Sequence, residues 1–212
     1  MAVDKEITIV GCGPGSIEYL IPAALKSIIA ADVLIGSQKL LDLFPDAAGE
    51  RMALTSNIRE VLDDMAELLG RKRMVVLVTG DPGLFSFAKP VIERFGRDRC
   101  RLLPGISSVQ VAFSRIGLDW ADARIISTHK EDPTDTPALA DAEKVAVLGG
   151  REGSLKWIAH HLLPGECDVR IFVCQNLTLE NEELAEVTAG QLAELRVSPQ
   201  TIVLIIKRSV LE

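Results

Sequence analysis

Three glycine-rich loops each directly follow an apolar stretch of the sequence. They read GCGPGS at 11–16, VTGDPGLFS at 78–86 and LLPGISSVQ at 102–110. Each apolar stretch predicts a β-strand. A strand, a Gly/Pro turn and then a helix is the arrangement with which α/β proteins bind ligands outside the carboxyl ends of their strands. The three loops therefore predict a ligand site, and three ordinary turns are the alternative.

The first loop does not fit the dinucleotide fingerprint GxGxxG. Ser16 stands where the third glycine is expected, and Pro14 has no N–H group to donate to a pyrophosphate. The second predicted strand runs into Gly36-Ser37, where the fingerprint needs an acidic residue for the ribose. The GK[ST] of a Walker A loop is also missing from the sequence. The pattern therefore disfavours a phosphate cradle.

Two titratable side chains stand just after predicted strands. Asp81, within Gly-Asp-Pro-Gly, can cap the following helix or accept a hydrogen bond from a ligand's hydroxyl or ammonium group. His129 is a candidate general acid or base, and a surface residue of a turn is the alternative. No GxSxG motif is present, and the His and Cys residues lack the spacing of metal ligands. We therefore predict no metal site and no catalytic triad.

Length, charge and cysteine usage narrow the class of protein. The 212 residues are 48% hydrophobic and carry a net charge of −7. This predicts a globular chain of one large or two small domains, and it disfavours general binding to nucleic acid or to an anionic membrane. The four cysteines form no CxxC pair. No signal peptide and no apolar run of about 18 residues is visible, so we expect a cytoplasmic protein without a membrane span.

Short apolar runs alternate with amphipathic stretches, which predicts an α/β fold. The boundary between two α/β domains, 1–118 and 119–212, is predicted just before a strand that precedes a Pro- and Asp-rich stretch. The predicted strands are 7–10, 33–35, 74–79, 101–103, 124–127, 144–148, 169–174 and 201–207. The predicted helices are 58–69 with Asn57 as N-cap, 87–95, 107–115, 155–163 and 182–195.

Taken together, the loops resemble those of a known family. GxGPG after the first strand, GDPGLFS after the third and PGISS before a helix resemble motifs of the tetrapyrrole methylases. These are the class III S-adenosylmethionine-dependent methyltransferases of sirohaem and cobalamin synthesis. The stretches ISTHK, VAVLGGREGSLKWIAHHLL and VCQNLTLENEEL extend the resemblance over nearly the whole chain. Ser16, Lys130 and Gln175 depart from the residues that many members carry, which are Asp, Gly and Glu.

The resemblance implies an activity. The short chain and its stretch ADVLIGSQKLLDLFP are most similar to members that methylate C5 of precorrin-7 or cobalt-precorrin-7. Such members occur alone or fused to a domain that methylates C15 and decarboxylates. Methylation of another ring position, or of uroporphyrinogen, is the alternative within the family. A non-catalytic nucleotide-binding module is the alternative of another class. A relative acting on ribosomal RNA is disfavoured by the acidic charge.

The resemblance also implies a cofactor, partners and site residues. It implies two domains with S-adenosylmethionine in a cleft between them, S-adenosylhomocysteine as product, a homodimer, and a possible C15-methylating, decarboxylating partner. The implied cofactor-binding residues are Pro14, Gly80, Asp81, Gly83, Leu84, Ser107, Ser108, Leu148, Gly149, Cys174 and Thr201. The candidates for binding the substrate's carboxylates are Lys39, Arg115, Lys130 and Arg151, each of which has a solvated surface charge as its alternative.

Overall fold

The computed structural model describes residues 6–129, 131–133, 139, 142–151, 153–162, 168–196 and 198–212. Contacts within the chain divide it into two compact units, Met1–Ser107 and Ser108–Glu212, which we call the amino-terminal and carboxy-terminal units. Each unit contains one five-stranded sheet with helices, so the α/β fold class is confirmed.

The amino-terminal unit is built on a parallel sheet. Its strands are β1 (Ile7–Gly11), β2 (Val33–Gly36), β3 (Glu50–Ala53), β4 (Met74–Val78) and β5 (Cys100–Leu103), in the spatial order β3-β2-β4-β1-β5. Its α-helices are α1 (Pro22–Ile29), α2 (Gln38–Leu41), α3 (Ile58–Leu68) and α4 (Ala88–Phe95). Every residue of β2 and β4 is buried, as expected for parallel strands covered on both faces.

Helix α3 shows how local sequence sets an element. The Asn57 side chain accepts a hydrogen bond from the amide of Glu60 at 3.4 Å, which confirms the predicted N-cap. Val61 and Met65, four residues apart, are buried against the sheet's apolar face. Sequence reasoning did not identify α1, α2 or β3. Strand β3 is mostly exposed and has no alternating apolar pattern.

The carboxy-terminal unit has a mixed sheet. Its strands are β6 (Arg124–Ser127), β7 (Lys144–Leu148), β8 (Val169–Gln175), β9 (Glu183–Val187) and β10 (Thr201–Lys207), in the spatial order β6-β7-β10-β8-β9. Strands β6 and β7 are parallel, and the other neighbours are antiparallel. Its α-helices are α5 (Ser108–Arg115), α6 (Ser154–Leu162) and α7 (Ala189–Glu194). Strand β10 lies at the centre, and six of its seven residues are buried.

The predicted helix 182–195 is wrong in its first half. Residues Glu183–Val187 form β9 and pair with β8, and α7 begins only after Thr188. Thr188 and Gln191 form a capping box, which fixes the start of α7. Glu, Leu and Ala have helical propensity, but pairing with a buried strand outweighs it in β9.

The amino-terminal unit ends at Ser107, just before α5. The boundary expected from composition follows residue 118. Helix α5 contacts β10, the central strand of the carboxy-terminal sheet. Its buried residues Val109, Val111, Ala112 and Phe113 account for this grouping. Composition reports where the chain becomes polar, whereas the units are defined by what packs together.

Candidate functional site

Three glycines meet at the carboxyl edge of the amino-terminal sheet. A Cβ atom on Gly105 would lie 2.2 Å from the carbonyl oxygen of Gly80, and a Cβ atom on Gly11 would lie 2.5 Å from the same oxygen. Such distances are far inside van der Waals contact, so only glycine fits at either position. The loops after β4, β1 and β5 are therefore packed backbone against backbone. Sequence reasoning placed Gly80 at a ligand site but missed the roles of Gly11 and Gly105.

The first two loops are also joined by hydrogen bonds. The Gly80 amide donates to the Gly13 carbonyl at 2.7 Å, and the Gly13 amide donates back to the Gly80 carbonyl at 3.3 Å. Both glycines have positive φ, +77° at Gly13 and +68° at Gly80. Pro14 follows and is buried, and the Ser16 hydroxyl accepts from the Glu18 amide at 3.2 Å to cap a short 3₁₀ helix. The first loop is therefore held by hydrogen bonds to the second loop and within itself.

Asp81 links the second loop to the third. Its Oδ1 atom accepts from the Gly83 amide at 2.8 Å, and its Oδ2 atom accepts from the Gly105 amide at 3.0 Å. Asp81 does not cap α4, because the Ala88 amide donates to the Ser86 hydroxyl at 3.1 Å instead. Each carboxylate oxygen keeps a further lone pair for a ligand.

The remaining predicted cofactor residues of the amino-terminal unit lie in the second and third loops. Gly83 is exposed and Leu84 is half-buried, and the Leu84 amide donates to the Asp81 carbonyl at 3.1 Å. Ser107 is buried at the end of the third loop. Ser108 is half-buried and is the first residue of α5 in the other unit.

In the carboxy-terminal unit, main-chain groups dominate the ends of β6, β7 and β10. The Leu148 carbonyl accepts from both the amide and the hydroxyl of Thr128, at 2.9 and 3.0 Å. The Gly149 amide donates to the Thr201 carbonyl at 2.9 Å. A Cβ atom on Gly150 would lie 2.2 Å from the Pro199 carbonyl oxygen, so this loop too needs glycine. Thr128 and Gly150 were not identified from the sequence.

Gln175 holds a polar cluster at the end of β8. Its Oε1 atom accepts from the Ser198 amide at 2.9 Å and lies 3.1 Å from the Thr201 hydroxyl. The Thr201 hydroxyl is also 2.7 Å from the Ser198 carbonyl. Thr201 is 1% exposed and Cys174 is fully buried, and burial raises the pKa of the Cys174 thiol to about 12. The Cys174 thiol therefore stays protonated at neutral pH.

His129 follows β6 at the surface. The residue is exposed in part, and partial burial of the ring lowers the pKa of His129 below its ordinary value. The imidazole is therefore neutral at pH 7, the form that can accept a proton. Among the described residues, no group of three His, Cys, Asp or Glu side chains is placed to hold a metal ion.

Arg115 and Arg151, two of the predicted substrate cations, form ion pairs with acidic side chains. The Arg115 guanidinium binds Glu182 through two hydrogen bonds, of 2.6 and 3.1 Å. Arg151 donates to the Thr128 carbonyl at 3.0 Å and forms an ion pair with Asp132. Lys39 is exposed on α2, directly after β2. The fourth candidate, Lys130, lies outside the described residues.

Comparison with known proteins decides the family. The family model of Tetrapyrrole (Corrin/Porphyrin) Methylases matches residues 6–193. The chain belongs to this family. It is therefore a methyltransferase, and the family resemblance seen in the three loops is confirmed.

Relatives within the methylase family share most of the chain. A cobalt-precorrin-7 C(5)-methyltransferase of Salmonella typhimurium is 34% identical over 179 residues, covering 84% of this chain and 88% of the relative. A probable cobalt-precorrin-7 C(5)-methyltransferase of Methanocaldococcus jannaschii is 31% identical over 195 residues, covering 88% and 91%.

Solved structures of family members share the fold. The precorrin-6Y methylase of Archaeoglobus fulgidus superposes with a TM-score of 0.75 at 24% identity, covering 96% of this chain and 98% of that one. The uroporphyrin-III C-methyltransferase of Thermus thermophilus, solved with S-adenosylhomocysteine, gives a TM-score of 0.76 at 21% identity, covering 95% and 92%.

Among the described residues, no helix has both the length and the apolar character to span a membrane.

Proposed function

We propose that this methylase transfers a methyl group from S-adenosylmethionine to C5 of precorrin-7 or cobalt-precorrin-7 in cobalamin biosynthesis. The observation that carries the proposal is the similarity to two C5-methyltransferases, at 34% and 31% identity over more than four fifths of each chain. The stretch ADVLIGSQKLLDLFP resembles the same C5-methylating members.

The glycine-rich loops fit the proposed cofactor. Side chains are excluded where Gly11, Gly80 and Gly105 meet, so a ligand at this edge faces main-chain amide and carbonyl groups. The Asp81 carboxylate is fixed by two amides and still has lone pairs for hydroxyl or ammonium groups. S-adenosylmethionine offers both kinds of donor, and when bound it supplies a methyl group on a sulfonium sulfur.

The chain's own task in this reaction is positioning. Methyl transfer from sulfur to carbon is an in-line displacement, in which the C–C bond forms as the C–S bond breaks and the electron pair stays on sulfur. An electron-rich tetrapyrrole carbon attacks without a strong base. The support for positioning is the hydrogen bond from the Gly105 amide to Asp81, which ties the loop after β5 to the loop after β4. His129 is the candidate group for any proton transfer that follows.

Lys39 is the candidate in the amino-terminal unit for binding a substrate carboxylate. It is exposed and lies on α2, immediately after the carboxyl end of β2. Arg115 and Arg151 would have to exchange Glu182 and Asp132 for the substrate, which costs them existing ion pairs.

Two measurements test the proposed function. Calorimetry compares binding of S-adenosylmethionine, S-adenosylhomocysteine, NAD and ATP, and we expect only the first two to bind. Mass spectrometry then follows precorrin-7 and cobalt-precorrin-7 incubated with the protein and S-adenosylmethionine, and we expect one added methyl group at C5. A methyl group at another ring position would overturn the C5 assignment. Binding of NAD or ATP, with neither S-adenosylmethionine nor S-adenosylhomocysteine bound, would overturn the cofactor.

We further propose that the protein acts in the cytoplasm as a homodimer and that it associates with a C15-methylating, decarboxylating protein. The support is the resemblance to the family, whose members include fusions with such a domain. Light scattering after size-exclusion chromatography tests the dimer, and the expected mass is twice 23.0 kDa. A monomer at micromolar concentration would contradict it.

A further inference from the structure

Phe85 is an aromatic residue that the fold displays to solvent. Its side chain is 59% exposed, and its backbone φ is +46°. A single exposed apolar side chain is ordinary in a folded protein. A positive φ at a phenylalanine is not ordinary, because the left-handed region suits glycine, asparagine and aspartate and costs other residues free energy. The combination calls for a reason beyond packing.

The loop around Phe85 is held on both sides. The Ser86 hydroxyl donates to the Pro82 carbonyl at 2.6 Å and accepts from the Ala88 amide at 3.1 Å. Before Phe85, the Leu84 amide donates to the Asp81 carbonyl at 3.1 Å. These bonds fix the chain on either side of the strained residue. The outward aromatic ring is therefore a built feature of the loop.

The position of Phe85 places it beside the proposed cofactor loops. The residue follows β4, whose last residue, Val78, pairs with Gly11 at the end of β1. The loop after β1 also displays an apolar side chain, Ile17, which is 51% exposed. Because β1 and β4 are parallel neighbours, both side chains stand on loops that leave the same edge of the sheet.

We propose that Phe85 is a substrate-binding platform on which the flat conjugated face of the tetrapyrrole rests. This inference rests on the proposed function. An aromatic ring gains from contact with a π-conjugated face, and its apolar surface is removed from water at the same time. The conjugated part of the macrocycle is apolar, and the carboxylates are carried on its side chains. A ring as exposed as Phe85 suits this broad ligand better than a ligand folded between loops. Phe85 thereby contributes substrate affinity and orientation.

The test uses Phe85→Ala, Phe85→Tyr and Phe85→Gly in the full chain. We expect Phe85→Ala to raise the KM for cobalt-precorrin-7 about tenfold, the loss expected for one aromatic stack. The dissociation constant of S-adenosylmethionine should stay within twofold of wild type. Phe85→Tyr should keep the wild-type KM, because the ring is retained. Phe85→Gly should raise the KM as Phe85→Ala does, with a midpoint of thermal unfolding equal to or above that of wild type.

The matched control is Trp120→Ala, which removes an aromatic side chain of 48% exposure in the carboxy-terminal unit. We expect it to leave the KM unchanged. An unchanged KM in Phe85→Ala would overturn the proposal. A parallel loss of S-adenosylmethionine affinity would overturn it too, because the ring would then serve the cofactor.

A second readout separates this proposal from the proposed function. Calorimetry measures binding of cobalt-precorrin-7 in the presence of S-adenosylhomocysteine, where no turnover occurs. If wild type binds tetrapyrrole but does not methylate C5, the proposed reaction fails, and weaker binding by Phe85→Ala still supports the platform. Equal binding by both proteins overturns the platform alone. Wild type that binds no tetrapyrrole overturns both.

Discussion

The Oδ2 atom of Asp81 lies 3.0 Å from the amide nitrogen of Gly105, 24 residues further along the chain. The other carboxylate oxygen, Oδ1, accepts from Gly83 in its own loop at 2.8 Å. One side chain thus fixes the shape of the loop after β4 and ties it to the loop after β5. Asp81 therefore supports the site's structure before any ligand binds, and its substitution has both a structural and a functional effect.

Two substitutions separate these effects. Asp81→Ala leaves two backbone amides without their acceptor, so we expect the free energy of unfolding to fall by about 2 kcal/mol. Asp81→Asn retains one side-chain oxygen, so it should lose about half as much. Both variants lose the negative charge, and we expect both to bind S-adenosylmethionine at least tenfold more weakly. Urea denaturation and calorimetry are the measurements. Wild-type cofactor affinity in Asp81→Asn would show that the carboxylate serves only the loops.

A second prediction concerns the close approach of Gly105 to Gly80. A Cβ atom on residue 105 would lie 2.2 Å from the Gly80 carbonyl oxygen, which is a backbone atom and cannot swing away. We expect Gly105→Ala to lower the free energy of unfolding by about 2 kcal/mol or more and to weaken cofactor binding.

The control for this prediction is Gly190→Ala in α7. A Cβ atom there meets nothing within 4 Å, and Ala has the better helical propensity. Gly190→Ala should therefore leave stability unchanged or raise it by about 0.5–1 kcal/mol. Equal losses in the two variants, measured by urea denaturation, would contradict the role of the glycine junction.

The loops and most strands were predictable because their signals are local. Strand β4 is an uninterrupted apolar run, and Asn57 and Glu60 mark the start of α3 within four residues. The Gly105–Gly80 approach was not predictable in this way, since it depends on how two loops far apart in sequence meet. No local pattern reveals which glycine lacks room for a Cβ atom.

The substrate cations show the same limit. From the sequence, Arg115 was a candidate for substrate binding or a solvated surface charge. Its ion pair with Glu182 was not foreseen, because the two residues are 67 positions apart. Strand β9 was predicted to be helical because its residues have helical propensity. Its pairing with β8 is a tertiary contact that local propensity does not reveal. The positive φ of Phe85 is equally invisible in the sequence GDPGLFS.

The ion pair between Arg115 and Glu182 predicts a dependence of stability on pH. Arg115, together with the Thr178 amide, lowers the pKa of the Glu182 carboxyl below its ordinary value of 4.5. A lowered pKa in the folded state stabilises the fold above the ordinary pKa, and this stabilisation is lost as the pH falls through the folded-state value. Both side chains are partly exposed, so we expect the ion pair to add about 1 kcal/mol to the free energy of unfolding at neutral pH.

Comparison of wild type with Glu182→Gln isolates this contribution, because the other carboxyl groups are the same in both proteins and their effects on stability cancel in the difference. We expect wild type to be more stable than Glu182→Gln at pH 7, with a difference that shrinks as the pH falls below about 4.5. Urea denaturation at several pH values measures it. A difference independent of pH would show that Glu182 acts through packing and not through charge.

Buried thiols give a prediction about chemical reactivity. Burial raises the pKa of both Cys12 and Cys174 to about 12, so the reactive thiolate is almost absent at pH 8. We expect iodoacetamide to leave both residues unmodified in the native protein and to label both in urea. Peptide mass spectrometry assigns the labels residue by residue. Rapid labelling of Cys174 in the native state would contradict its burial within the carboxy-terminal sheet.

His129 predicts the pH dependence of the reaction itself. Partial burial lowers the pKa of His129 below 6.5, so the ring becomes protonated only as the pH falls through that lower value. If His129 accepts a proton during methyl transfer, kcat/KM falls on the acid side with this pKa. His129→Gln should then lower kcat and abolish the acid limb, while the KM for S-adenosylmethionine stays the same. His160→Gln, at an exposed position of helix α6, is the control and should keep the wild-type profile. An acid limb that survives in His129→Gln would assign the proton transfer to another group.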